Sequence, residues 1–450
     1  MTLAGCIGRS NPGPIASATT GQESTPYPAP NTVSPSTETS QASSTLGVEQ
    51  TPNPYPGITQ SLPERGTPTD RPFSTAEPPP NSIAQTISIW HSWDASQTQT
   101  LQYLLSLFQD TYPNVYFDVL YVPFDELQAR YEAAAYRGDG PELVLGPAEW
   151  GASFYDKGLT VDLSLIAGQE FLAEINPAAL GEVKYRDALI GLPYAIRKGS
   201  LLFRNKSILP KAPQTFDDLI DASKAATRGG KVGAYLERGF YHSTSHLYGI
   251  GGSLMNEDGY PTFNDESGVE WLNLLKSFDD GGPTEFNGDR DLELFKAGKV
   301  GTIIEGSWNL KDIAEAIGKD NLAIDPWPSY GKGGLSGYVQ TDNIYLNSNI
   351  PEDERFTPLQ FMAFFLAREV QAILAQDGRI PVVRNVQVDD PLIQQAVTAF
   401  EKGTPYPISP ETNLYWGPLE EAMRSVFEGE ATPEEALKSA YDTIIAELGQ

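Results

Sequence analysis

A single cysteine, Cys6, stands in 450 residues, so no intrachain disulfide can form and thiol chemistry away from the N-terminus is excluded. Histidine is almost as scarce, with three residues. Two of them, His242 and His246, have the i, i+4 spacing of a zinc pair, but no Glu follows the first and no third ligand is near. Basic residues are few, 31 against 59 acids, for a net charge of −28. That balance repels phosphate backbones and argues against nucleic acid as a partner. No apolar run approaches the roughly 18 residues of a membrane span. Neither a GxxxxGK[ST] nor a GxGxxG phosphate loop occurs.

What is present divides the chain in two. Residues 7–84 are rich in Pro, Ser, Thr and Gly, and 15 of the 36 prolines precede residue 85. No hydrophobic period runs through this stretch, which reads as a disordered tether. Its six acids and three arginines leave about −25 of the charge on the remainder. From residue 85 the pattern alternates. "TISIW" is a buried strand, and "SQTQTLQYLLSLFQDTY" is an amphipathic helix with Leu101, Leu104, Leu105 and Phe108 on one face. "NVYFDVLYV", "FDELQARYEAAAYRG" and "PELVLG" continue as strand, helix, strand. The order predicts α/β architecture with parallel pairing. Ligands of such sheets sit beyond the carboxyl ends of the strands, where "HSWDAS" and "PAEWGAS" each offer a tryptophan and an acid. "EGEATPEEAL" contains a helix cap of Thr432, Pro433 and Glu435.

Two resemblances add to this reading. "LAGC", Leu3 to Cys6, resembles the bacterial lipobox, which implies that residues 1–6 are the remnant of a signal peptide and that Cys6 is lipidated. The basic and apolar regions of such a peptide are then expected upstream of Met1. From residue 86 to about 445 the chain resembles the extracellular solute-binding proteins of ABC importers, in the branch of the maltose-binding protein. The blocks that carry it are "ISIWHSW", "YEAAAYRGDGPELVLGPAEWGASFYDKGLTVDL", "LPYAIRKGSLLFRNKSILP", "PQTFDDL", "LFKAGKVGTIIEGSWNL" and "EGEATPEEALKSAYDTI". The resemblance implies a two-lobed flytrap fold. Each lobe is a mainly parallel sheet flanked by helices, with three crossings between lobes. We expect 85–197 and 327–349 in the N-terminal lobe and 198–326 and 350–450 in the C-terminal lobe. The crossings are expected near Ile196–Ser200, Asp325–Pro328 and Asn349–Glu352.

The same resemblance implies a carbohydrate ligand in the cleft, no cofactor, no metal, a monomer and a membrane permease as partner. Position by position it gives Trp93, Asp94, Glu149 and Trp150 from the first lobe and Arg197 from the first crossing. From the second lobe it gives Tyr241, Trp308 and Trp416, with Arg379 in a bordering loop. Aromatic plates suit the apolar faces of a sugar, and charged side chains suit its hydroxyls. Trp90 and Trp271 read as core. A non-sugar solute, an anionic sugar derivative or a sensing role fits the same residues. A glycosidase would need two carboxylates flanking one bond, and Asp94 and Glu149 are expected on one lobe rather than across a cleft.

Overall fold

The computed structural model describes residues 84–449. Cys6 and the expected tether lie outside the described residues. Strand β1 (Gln85–His91) leads into α1 (Ala95–Thr111), whose start is fixed by a capping box between Asp94 and Gln97. Then come β2 (Val115–Tyr121), α2 (Phe124–Tyr136) and β3 (Leu143–Pro147). β1 pairs parallel with both β2 and β3, as alternation of strand and helix requires.

The long strand β4 (Leu192–Asn205) leaves this first half and enters the second. There it is followed by α3 (Phe216–Ala226), α4 (Phe240–Gly249), α5 (Glu266–Ser277), β5 (Thr302–Gly306), α6 (Leu310–Ile317) and β6 (Leu322–Asp325). β7 (Tyr338–Leu346) returns. The strand order is β6-β4-β7-β3-β1-β2, with β5 also on β4, so one curled sheet serves both halves. Because β4 runs outward and β7 runs back, they pair antiparallel with each other. β5 and β6 likewise run antiparallel to β4.

The expected lobe boundaries need correction after β6. Ser329 still donates its N–H to Gln214 just before α3, so the chain has not left the second half at Asp325–Pro328. The return is along the start of β7, where Val339 lies opposite Gly199. The break at Asn349–Glu352 is not a crossing. It turns the chain into α7 (Phe356–Phe365) and α8 (Arg368–Gln376), which pack on β1, β7, α1 and β4. Phe361 meets Phe108 edge-on, and Phe365 meets Trp93. Pro351 signals a local break, but the destination is set by the apolar face of α7, which needs the first half's core. The chain leaves only after Val382 and Val383, which bond to Asn176 and Ile175. Next come α9 (Pro391–Phe400), packed on β6 and β4, and β8 (Thr404–Pro405), paired with the start of β7. Finally α10 (Asn413–Glu428) and α11 (Pro433–Leu448) pack on each other and on α5, around Trp271, Tyr415 and Met423.

Candidate functional site

The site grows from two irregularities where β4 and β7 pass each other. Lys198 lies opposite Gln340 and Ile196 opposite Thr341, which leaves Arg197 as an extra residue. Ala195 lies opposite Asp342 and Pro193 opposite Asn343, which leaves Tyr194 as another. Such bulges re-aim side chains that strict alternation would send to opposite faces. Consecutive Arg197 and Lys198 consequently approach one carboxylate oxygen, Glu149 Oε1, at 2.5 and 3.8 Å.

A continuous polar chain follows. Gln340 Nε2 donates to Glu149 Oε1 at 2.8 Å, and Tyr241 OH donates to Gln340 Oε1 at 3.0 Å. Gln340 thus joins an acid of the first half to a tyrosine of the second. Asp342 stands between two guanidiniums, 3.4 Å from Arg197 Nε and 3.7 Å from Arg379 Nη1. Arg379 in turn sits over the Trp93 ring, 3.9 Å from its centroid, and Trp93 Nε1 donates to Tyr194 OH at 2.9 Å. Beneath the chain, Glu182 is fully buried and accepts from the Thr341 N–H at 3.4 Å. Burial, reinforced by Glu149 beside it, pushes its carboxyl pKa well up.

In the second half, β5 ends at Gly306, and the Trp308 ring folds back across it. A Cβ at Gly306 would come within 2.1 Å of that ring. Trp308 remains 44 % exposed, beside Tyr241 (5.9 Å between ring centroids) and His242 (6.2 Å). Burial pushes the His242 pKa down to about 3, and its Nδ1 lies 2.9 Å from Ser200 Oγ. Burial also pushes Glu305, just before Gly306, up to about 7. Trp416, at the start of α10, is half-buried with Phe240 against its ring at 4.6 Å.

The expected site residues therefore separate. Glu149, Arg197, Tyr241 and Arg379 share one network, with Trp308 at its second-half end and Trp93 at its first-half end. Trp93 is 5 % exposed, its ring covered by Arg379, and does not present an open plate. Trp150 is 8 % exposed, packed on Phe124 and Phe154 and folded over Gly146. Asp94 is exposed, with its carboxylate engaged in capping α1. Sequence reasoning missed Tyr194, Gln340, Asp342 and Glu182, and gave Lys198 only as a cation that, with Arg197 and Arg379, could serve an anionic ligand such as a sugar phosphate. The usable signal was in "YVQTDNIYLN", where the polar run Gln340, Thr341, Asp342 and Asn343 interrupts a strand otherwise built of Tyr, Val, Ile and Leu.

Comparison with known proteins decides the family. The sequence model of the bacterial extracellular solute-binding proteins matches residues 104–401. The chain belongs to this family. Family membership places this solute-binding protein outside the cytoplasm, in a substrate-binding family. It is 27 % identical over 332 residues to the galactooligosaccharide-binding protein of Bacillus subtilis, covering 68 % of this chain and 76 % of the relative. It is 23 % identical over 383 residues to the maltotriose-binding protein of Pyrococcus abyssi, covering 80 % and 82 %. Among solved structures, the Staphylococcus aureus extracellular solute-binding protein in complex with maltose shares the fold. That match has a TM-score of 0.72 at 20 % identity, covering 83 % of this chain and 99 % of that one. A cyclo/maltodextrin-binding protein complexed with maltotetraose matches with TM-score 0.70 at 23 % identity, covering 83 % and 99 %.

Proposed function

We propose that this solute-binding protein captures an oligosaccharide between its two halves and delivers it to an ABC permease, held at the membrane through lipid on Cys6. The observation that carries the reading is the exposed Trp308 ring, held by Tyr241 and His242 at the end of a hydrogen-bonded chain that reaches Glu149 in the other half. An aromatic plate beside charged hydrogen-bonding groups suits a ring with apolar faces and a hydroxyl edge. Hydrogen bonds to charged groups contribute roughly 1.5–3 kcal/mol each, against about 1 for neutral ones. Closure follows only if the ligand touches both halves, since it shifts the equilibrium by its differential contacts alone. The relatives' names, galactooligosaccharide-, maltotriose- and maltooligosaccharide-binding, support the ligand class. Two relatives are solute-binding lipoproteins of ABC transporters, which supports the anchor and the permease.

The test is a panel of oligosaccharides read by tryptophan fluorescence and calorimetry. Saturable binding without product formation is the expected result, and hydrolysis of an offered glycan would refute a binding-only role. Lipid labelling that persists in Cys6→Ala would remove the proposed anchor.

A further inference from the structure

We infer that the ligand bears an anionic group, a carboxylate of the uronate kind, and that Lys198 receives it. The inference rests on the oligosaccharide-capture reading and narrows it to acidic chains.

Three cations, Arg197, Lys198 and Arg379, meet at the crossing. Two carboxylates are paired with them, Glu149 and Asp342. The third carboxyl, Glu182, is fully buried, accepts from the Thr341 N–H and forms no ion pair among the described residues. Asp94 is exposed at the other end of the site and caps α1. The three cations therefore share two ion-paired carboxylates, at the centre of a chain whose net charge is −28. Charges farther away than about 8 Å are screened at physiological salt, so this local cluster governs what binds there.

Lys198 is the most exposed of the three. Arg197 holds Glu149 and lies beside Asp342, and Arg379 lies beside Asp342 and over the Trp93 ring; the nitrogens they leave unpartnered, Arg197 Nε and Arg379 Nε and Nη2, are buried. Glu149 Oε1 already accepts at 2.5 Å from Arg197 and 2.8 Å from Gln340, which leaves Lys198 Nζ at 3.8 Å. The ammonium makes no hydrogen bond among the described residues, and its side chain is 35 % exposed. Burial, together with Arg197 beside it, pulls the Lys198 pKa below the ordinary lysine value. The charged form is thus under strain that an approaching carboxylate relieves. The bulge at Arg197 is what brings Lys198 to this face at all.

The experiment compares matched pairs differing only at C6. Galactotriose is set against trigalacturonate, and cellotriose against its C6-oxidised form, by calorimetry at low and high salt. At low salt the acidic member of a pair should bind at least about tenfold tighter, an advantage that shrinks as salt rises. Lys198→Gln should abolish the advantage and Lys198→Arg should keep it, with melting temperatures verifying that both variants fold. Neutral chains binding as tightly as their acidic partners, or an acid advantage that survives in Lys198→Gln, overturns the inference and leaves oligosaccharide capture standing. Failure of every saccharide to bind removes both.

Discussion

At the scale of the residue, four tryptophans that look alike along the chain have different surroundings. Trp150 and Trp308 each follow a strand and each fold over a glycine, but Phe124 and Phe154 close over the first while the second keeps an open face. We expect Trp308→Ala to weaken saccharide affinity at least about tenfold with little change in melting temperature. Trp93→Ala should instead cost about 3–5 kcal/mol of stability in denaturant titrations, as emptying a core site does. The strand-then-tryptophan pattern was legible. Burial was not, because Arg379 and Phe124 cover the rings from distant points of the chain.

Buried acids set a second expectation at this scale. Burial pushes Asp291 up to about 8, with Glu305 and Glu237 adding repulsion. Between its unfolded pKa near 4 and about 8, the folded protein holds a proton that the unfolded chain has released. Asp291 therefore costs increasing stability as pH rises through that window. Asp291→Asn removes the cost, so its melting temperature should exceed the parent's at pH 8.5 and converge with it below about pH 4.

At the scale of the element, caps were the readable part. The Thr432, Pro433, Glu435 pattern forms the capping box that starts α11. Thr432→Ala should cost about 1 kcal/mol by chemical denaturation. The bulges at Tyr194 and Arg197 left no such local mark, because register is a property of two strands and only one is visible at a time. Gly199 lies beside the second bulge. A Cβ there would stand 2.3 Å from the Tyr338 carbonyl oxygen, and Phe400 blocks escape. Gly199→Ala should separate the strands locally, lowering both melting temperature and affinity. The placement of α7 and α8 shows the same limit. A proline break is local, whereas the face that buries Phe361 and Phe365 lies on β1 and α1, far back in the chain.

At the scale of the molecule, a ligand that binds only the folded form stabilises it by RT ln(1 + [L]/Kd), about 2.7 kcal/mol at a hundredfold excess over Kd. A true ligand should raise the melting temperature with the logarithm of its concentration, and compounds that quench fluorescence without doing so are not ligands. The two-part α/β architecture was expected from the ordered blocks and the fold match bears it out, whereas the single sheet shared by both halves was not foreseen.

The double crossing of β4 and β7 also limits how this protein could diversify. Adding or deleting one residue in Leu192–Asn205 would invert the facing of the strand residues beyond it unless a further bulge absorbed the change. New tastes in cargo are accordingly open to descendants of this gene through point replacement at Arg197, Lys198 or Gln340, while changes of length are left to the outer loops.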